Sequence, residues 1–170
     1  MLENTDFKIG FEEIPLSKTG MDKVEFYVSM NRGEERRPLK NVVSGGEASR
    51  LLLALKCVFT DLSDTSLIIF DEIDSGVSGR VAFAVGSKMA SISKNIQTIA
   101  ITHLAPVAAF ADQHHYVYKE DINEHTITYV KTLTEEERIE ELASISSGVN
   151  DESIKAAKIL LDQAREKKGI

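Results

Sequence analysis

The segment Leu67-Ile68-Ile69-Phe70-Asp71-Glu72 decides the fold class that this sequence predicts. An apolar run that stops abruptly at two acids is typical of a buried parallel strand. A second apolar run, at residues 96–101, ends in the same manner at Thr102 and His103, and residues 80–91 between the two runs have a helical pattern. This strand, helix, strand order predicts an α/β fold with a mostly parallel central sheet flanked by helices.

Further strands and helices are expected on both sides of this central unit. Alternation of apolar and polar residues indicates strands, and runs largely free of glycine and proline indicate helices. A single domain, residues 1–170, is the organisation that this length favours. Antiparallel strands at one side of the sheet are predicted at residues 7–14, 24–30, 114–119 and 126–133, and helices at 47–62, 104–111, 135–147 and 151–167.

The composition narrows the classes of function. The chain has 20 Lys and Arg against 27 Asp and Glu, and this net charge of −7 argues against a domain whose main work is gripping a phosphate backbone. Its single cysteine, Cys57, excludes an internal disulfide, and no apolar run approaches the roughly 20 residues that cross a bilayer. The first residues have no signal-peptide pattern. A cytoplasmic protein without membrane contact is therefore expected.

Ser44-Gly45-Gly46-Glu47 is the first candidate ligand site. Ser44 and Glu47 have the spacing of a capping box at a helix start, and the two glycines leave the first amides open to close approach. Exposed N–H groups and the positive end of the helix dipole favour a phosphate. An ordinary helix N-cap with a flexible lead-in is the alternative interpretation.

Asp71 and Glu72 form the second candidate site, at the carboxyl end of a predicted buried strand. Ligands of α/β sheets bind at this end of the strands, and the segment has the form of a Walker B motif. One acid would hold Mg²⁺, directly or through water, while the next would orient an attacking water. The alternative is a strand that simply ends in a polar turn.

Two more features follow the predicted strands. Residues 74–79, Asp-Ser-Gly-Val-Ser-Gly, form a loop that either approaches a nucleotide or partner backbone, or merely leads into the next helix. His103 follows the second strand at the same sheet edge as Asp71, where its imidazole would donate a hydrogen bond to a terminal phosphate. A structural histidine is the alternative.

The order and spacing of these four features match one half-site of an ABC-type ATPase. In the same segments the chain resembles the C-terminal ATPase-head segment of the RecN family, the SMC-like bacterial proteins of DNA double-strand-break repair. The similarity spans nearly the whole chain, and DEIDSGVSG (71–79) is more specific to RecN than to SMC heads in general. The segments that carry it are GMDKVEFYVSMNRGE (20–34), VVSGGEASRLLLALK (42–56), IIFDEIDSGVSGRVA (68–82), AITHLAPVAAFADQHHYVYK (100–119) and ERIEELASISSG (137–148).

The resemblance implies a role for each matching position. Asp71 corresponds to the Walker B residue that binds Mg²⁺, Glu72 to the catalytic glutamate and His103 to the switch histidine. The signature motif, which faces the γ-phosphate held by an opposite head, comprises Ser44, Gly45, Gly46 and Glu47, and the nucleotide-facing D-loop residues are Ser75, Gly76 and Ser78. The chain departs from the family pattern at Ala48, where Leu is usual, and at Ala105-Pro106, where Pro-Gln is usual. The first departure is expected to alter packing and not chemistry.

The sequence contains no Walker A motif, G-x-x-x-x-G-K-[ST]. The nearest string, Gly86-Ser87-Lys88, lacks both the glycine spacing and the hydroxyl residue after the lysine. In RecN-like proteins the P-loop lies in an N-terminal lobe beyond a long coiled coil, so the chain is expected to be a head fragment that hydrolyses no ATP alone. The implied partners are that lobe, a second head in a homodimer, and DNA at the nucleoid. ATP and Mg²⁺ are the implied cofactors of the longer protein.

Two functions from other classes remain open at this point. The same surface could serve head-to-head or head-to-coil association with no nucleotide of its own. A DNA-binding module is the other alternative, and its candidate phosphate contacts are Arg32, Arg36, Arg37 and Lys40.

Overall fold

The computed structural model describes residues 5–29, 33–42, 50–51, 53–55, 57–58, 65–71, 73–74, 76–77, 79–123 and 125–169. The chain divides into two compact units, Met1–Ala48 and Ser49–Ile170. The organisation of residues 1–170 as a single domain stays a prediction. Within these units the elements form a mixed α/β fold with parallel and antiparallel strand pairs.

An antiparallel hairpin of β1 (Asp6–Ser17) and β2 (Gly20–Ser29) forms the first unit. Its register pairs Ile9 with Phe26, so the alternating apolar residues share one face, as the period of two predicts. Gly20 closes the turn with a φ of +110°, in the left-handed region that favours glycine.

Two short elements of this unit have no counterpart in the sequence patterns. β3 (Arg37–Pro38) pairs antiparallel with β2, and α1 (Leu39–Val42) follows it directly. Two residues are too few to show a period, and Pro38 is tolerated because β3 is the last strand of its three-stranded sheet. β3 is defined by its pairing with β2, where Arg37 lies opposite the buried Val28.

The parallel pair of β4 (Leu67–Asp71) and β5 (Gln97–Ile101) is the centre of the second unit. Between them α2 (Gly79–Ile92) packs its buried side against Ile68 and Phe70, which confirms the predicted strand, helix, strand order. Apolar side chains of β4 and α2, together with others from neighbouring segments, make the first core cluster. Its largest fully buried members are Leu53, Ile73, Val85 and Ile92.

The remaining elements of this unit follow the predicted order. They are α3 (Ala105–Ala108), the hairpin of β6 (His115–Ile122) and β7 (His125–Thr132), α4 (Glu135–Ser147) and α5 (Asp151–Lys168). Thr134 and Asn150 begin α4 and α5 with capping boxes. Of the predicted helix 47–62, residues 50–51, 53–55 and 57–58 are helical, and the rest lie outside the described residues.

Gly86 lies in the middle of α2, where α3 and the turn after it approach closely. A Cβ at this position would lie 2.5 Å from Cδ2 of Phe110 and 3.0 Å from the carbonyl oxygen of Pro106. The string Gly86-Ser87-Lys88 is therefore part of a packed helix. Its glycine permits the close approach of Phe110, a residue of the second core cluster.

Candidate functional site

The parallel register brings two of the predicted site residues to one edge of the sheet. Asp71 is the last residue of β4 and pairs with Ile101, the last residue of β5, and His103 follows two residues later. Both side chains are exposed, that of His103 to 74%. A ligand in solution can therefore reach the carboxylate and the imidazole from the same side, which is where α/β sheets place their ligands.

Asp74 connects the loop after β4 to the segment after β5. Its carboxylate is only 1% exposed. Oδ2 accepts a hydrogen bond from the Thr102 hydroxyl and another from the His103 backbone N–H, the second at 3.3 Å. The Thr102 oxygen in turn accepts from the Leu104 N–H at 3.0 Å. One buried acid thus fixes the backbone on both sides of the candidate histidine.

The second carboxylate oxygen of Asp74 faces the imidazole of His103. Oδ1 lies 3.7 Å from Nδ1, beyond hydrogen-bond distance but within reach of an ion pair when the imidazole is protonated. Oδ1 is buried and has no hydrogen-bond partner among the described residues. Burying an acceptor in this way is costly, so the arrangement favours a protonated Nδ1 that points at Asp74. The other ring nitrogen, Nε2, is then left for a ligand.

The sequence patterns placed Asp74 at the start of the 74–79 candidate loop but gave it no role in the site. Its partners are 28 and 29 residues further along the chain, so no local spacing relates them. One signal was available, namely an acid directly after an apolar residue, Ile73, that is buried. An acid buried in this way is stable only when hydrogen-bond donors offset the loss of its hydration. The Thr102 hydroxyl at the end of the next parallel strand was a ready donor.

The loop after Asp74 turns sharply towards α2. Gly76 has a φ of +68° and Gly79 a φ of +51°, which are conformations that residues with a Cβ rarely adopt. The Val77 N–H closes the turn on the carbonyl of Asp74 at 3.2 Å, and Val77 packs against the first core cluster. Of the predicted D-loop contacts, Gly76 is exposed, while Ser75 and Ser78 lie outside the described residues.

The remaining predicted site residues also lie outside the described residues. These are Glu72 and the signature residues Ser44, Gly45, Gly46 and Glu47. The structure therefore places Asp71 and His103 at one sheet edge, with Asp74 bonded to the backbone of His103, and the other positions keep the status of sequence predictions.

Asp71 is chemically suited to magnesium. Among the described residues, no three His, Cys, Asp or Glu side chains form a metal-binding group. Mg²⁺ usually takes only one or two carboxylates and completes its octahedron with phosphate oxygens and water. A single exposed carboxylate at this edge fits that mode and does not fit an all-protein cage.

Two of the four basic residues of the alternative DNA-binding interpretation form ion pairs. Arg36 is paired with Asp6, and the Lys40 ammonium lies 2.9 Å from a carboxylate oxygen of Glu25. Arg37 lies in β3, and Arg32 is outside the described residues. A phosphate backbone would have to compete with Asp6 and Glu25 for these two cations.

Curated proteins similar to this chain share one description, DNA repair protein RecN. The chain is 44% identical to that of Halalkalibacterium halodurans in an alignment that covers 96% of the chain and 30% of the relative. It is 43% identical to that of Bacillus subtilis, over 92% of the chain and 28% of the relative. The resemblance to the RecN family is confirmed. No model of a protein family matches the chain.

Solved structures show the same fold. The Smc head domain with a coiled coil and joint derived from Pyrococcus yayanosii aligns with a TM-score of 0.66 at 21% identity, over 83% of this chain and 26% of that one. An SMC ATPase structure, described for ATP-driven dimerization and DNA-stimulated activation, aligns with a TM-score of 0.53 at 20% identity, over 86% of this chain and 84% of that one. The SMC-head α/β fold expected from the RecN resemblance is confirmed.

This RecN-like chain spans about 30% of the length of the RecN relatives quoted above. Among the described residues, no helix is both long and apolar enough to cross a membrane.

Proposed function

We propose that this chain supplies the signature, Walker B, D-loop and H-loop portion of a RecN-like ATPase that acts in DNA double-strand-break repair and recombination. The observation that carries the proposal is the parallel register of β4 and β5, which brings Asp71 and His103 to one sheet edge. Similarity to RecN over 96% of the chain supports the ATPase class and the DNA repair role. ATP would be hydrolysed to ADP and phosphate between two engaged heads.

The chemistry is divided among residues at that edge. Bound Mg²⁺ and ATP would supply the electrophilic γ-phosphate and neutralise its developing charge. Asp71 would hold the metal, directly or through water, and Glu72 would orient the attacking water in line. His103 would donate from Nε2 to the terminal phosphate when the ring carries a proton on both nitrogens, and Nδ1 would then face the Asp74 carboxylate at 3.7 Å.

The signature residues act on the other head of a homodimer in this proposal. The Ser44 hydroxyl and the Gly45 and Gly46 amides would contact a γ-phosphate bound by the P-loop of the opposite chain, beside Glu47. Ser75, Gly76 and Ser78 would line the same junction. DNA contact, at the nucleoid, would be a property of the whole protein and not of this segment alone.

An exposed apolar face favours a second, non-catalytic contribution to head assembly. On β4 the alternate residues Ile68 and Phe70 are buried in the first core cluster with α2. On the other face of the strand pair, Leu67, Ile69, Ile99 and Ile101 are 44% to 59% exposed. A parallel sheet is normally covered on both faces. The N-terminal P-loop lobe of the same protein is the partner that we propose for this face, because the RecN relatives are more than three times as long as this chain.

Paired substitutions in the P-loop-containing parent test the assignment. Glu72→Gln should retain ATP binding, cut hydrolysis by about two orders of magnitude or more, and let ATP-bound dimers accumulate, because the water loses its base. Asp71→Asn should instead weaken Mg²⁺-dependent ATP binding itself. Nucleotide binding, steady-state hydrolysis and dimer formation are measured for both, with Glu120→Gln on the exposed hairpin as control. Equal, small effects of the two changes would favour a merely polar turn.

A further inference from the structure

A small cavity lies between the turn after α3 and the two C-terminal helices. Its volume is about 190 Å³. Five charged side chains reach it: Arg138 and Glu135 from α4, Arg165 and Lys168 from α5, and Asp112 from the α3 turn. Leu161 contributes an apolar wall. A cavity with this lining excludes an apolar ligand, and we call it the cationic cavity because its three cations outnumber its two acids.

Arg138 is the most buried of these cations, at 8% exposure. All the hydrogen bonds recorded for its guanidinium leave from Nη2, to the carbonyls of Ala108, Ala109 and Ala111 at 3.4, 2.8 and 2.6 Å. Nε is buried and has no partner among the described residues. Burial lowers the pKa of Arg138, as expected for a cation removed from water. The guanidinium therefore keeps an unused donor in a dry setting.

The other charges of the cavity cancel in pairs. Arg165 forms an ion pair with Glu135, and Lys168 forms one with Asp112. Arg138 forms no direct ion pair with any described residue: its Nη2 donates to carbonyl oxygens, and the charges of Glu135 and Asp112 act on it at longer range. With both carboxylates neutralised by their own partners, the cationic cavity retains one net positive charge.

We propose that the cationic cavity is a binding site for one phosphate group. A phosphate supplies the negative charge that Arg138 lacks, and its oxygens can accept from the guanidinium and from the Lys168 ammonium. The volume suits a single tetrahedral oxyanion, because liquid water occupies about 30 Å³ per molecule and a whole small-molecule ligand needs a pocket of roughly 300 Å³ or more. A metal cation is excluded by the three positive side chains.

The site lies outside the residues assigned to ATP. Asp112, Arg138 and Lys168 belong to none of the signature, Walker B, D-loop or H-loop motifs. Arg138 nevertheless binds the carbonyls that end α3, the helix that begins two residues after His103. Occupation of the cavity would consequently stabilise the segment that follows the candidate histidine.

Titration of inorganic phosphate into the 170-residue chain tests the proposal. Calorimetry should show saturable binding of one phosphate per chain, whereas sodium chloride at the same ionic strength should give none. Arg165→Gln and Lys168→Gln should each weaken binding at least tenfold. These residues are chosen because Arg138 variants would lose the α3 carbonyl contacts and risk misfolding. Lys158→Gln, an exposed position on the same helix, removes an equal charge and should leave the affinity unchanged.

A second arm separates a free ion from the phosphate of a nucleic acid. A short oligonucleotide with a 5′-phosphate is compared with the same oligonucleotide without it, against the same variants. Binding of inorganic phosphate alone, with the variant pattern above, identifies a free-ion site. Binding that requires the terminal phosphate, with that same pattern, identifies a nucleotide source. The proposal is overturned if neither probe binds better than chloride, or if Lys158→Gln weakens binding as much as Lys168→Gln does.

Discussion

Asp74 is a buried acid that accepts hydrogen bonds from residues beside the candidate histidine. A carboxylate removed from water is stable only when donors surround it, and the donors here are the Thr102 hydroxyl and the His103 N–H. This arrangement fixes the backbone that carries the imidazole before any ligand arrives. A segment that is already ordered loses less conformational entropy when a ligand binds than a mobile segment would.

Replacing Asp74 should therefore affect stability and activity together. Asp74→Ala leaves two buried donors without an acceptor. It should lower the free energy of unfolding by about 1–3 kcal/mol in a urea titration of the chain. Asp74→Asn keeps an acceptor oxygen and should lose less. In the P-loop-containing parent the rate of ATP hydrolysis should fall in the same order.

The His103 ring gives a readout that a purely structural role would not change. Histidine ¹⁵N shifts should show Nδ1 protonated in the wild type and a redistributed tautomer in Asp74→Asn. Asp162→Ala, an exposed acid on α5, is the matched control. An Asp74→Ala protein as stable as this control, with unaltered His103 shifts, would refute the positioning role.

Helix α2 depends on the absence of one side chain. A glycine inside a helix ordinarily costs about 1 kcal/mol relative to alanine, so Gly→Ala usually stabilises. At Gly86 the opposite is expected, because the added Cβ would lie 2.5 Å from the Phe110 ring and 3.0 Å from the Pro106 carbonyl. The net result should be a loss of about 1–3 kcal/mol through overpacking.

Thermal and urea unfolding of Gly86→Ala measures this effect. Ser91→Ala, on the exposed side of the same helix, is the comparison and should change stability little. If Gly86→Ala were more stable than the wild type, the close approach of α3 to α2 would be wrong.

Elements with a strong local pattern were predictable, and contacts between distant elements were not. The alternation in β1 and β2, the apolar runs of β4 and β5, and the capped helices α4 and α5 all follow from residues near one another in sequence. β3 could not be predicted, because two residues are too few to show an alternating pattern. The cationic cavity could not be predicted, because its walls come from the turn after α3 and from two helices, α4 and α5, whose packing no sequence motif encodes.

The candidate site was partly predictable for the same reason. Placing Asp71 and His103 at one edge required only that two apolar runs pair in parallel, which they do. Recognising Asp74 required a hydrogen bond over 28 residues. The roles of Glu72 and of Ser44 to Glu47 rest on the family resemblance.

At the scale of the whole chain, the residues of the proposed catalytic motifs are present and a Walker A motif, the phosphate-binding loop, is not. Because no Walker A motif is present, the 170-residue protein should bind Mg²⁺ and ATP weakly at best and hydrolyse ATP at far below about 1 per second, the low end of usual enzyme turnover. Addition or co-expression of the N-terminal lobe should restore hydrolysis and cover the Ile69 and Ile101 face.

Phosphate release with and without that lobe is the measurement. The same reconstitution with Glu72→Gln controls for a contaminating ATPase and should show background rates only. Turnover near 1 per second by the chain alone would contradict the expectation that it is a head fragment.

Arg138 also affects how much of the chain must be synthesised before the segment after His103 is anchored. The carbonyls at the end of α3 are satisfied by a guanidinium that leaves the ribosome 27 to 30 residues after them. Until α4 has emerged and docked, the carbonyls of Ala109 and Ala111 lack the Arg138 donor, and that of Ala108 keeps only the Ala111 N–H. A premature stop codon before position 138 would therefore leave every motif residue in place and still yield a product in which the segment after the histidine lacks its anchor.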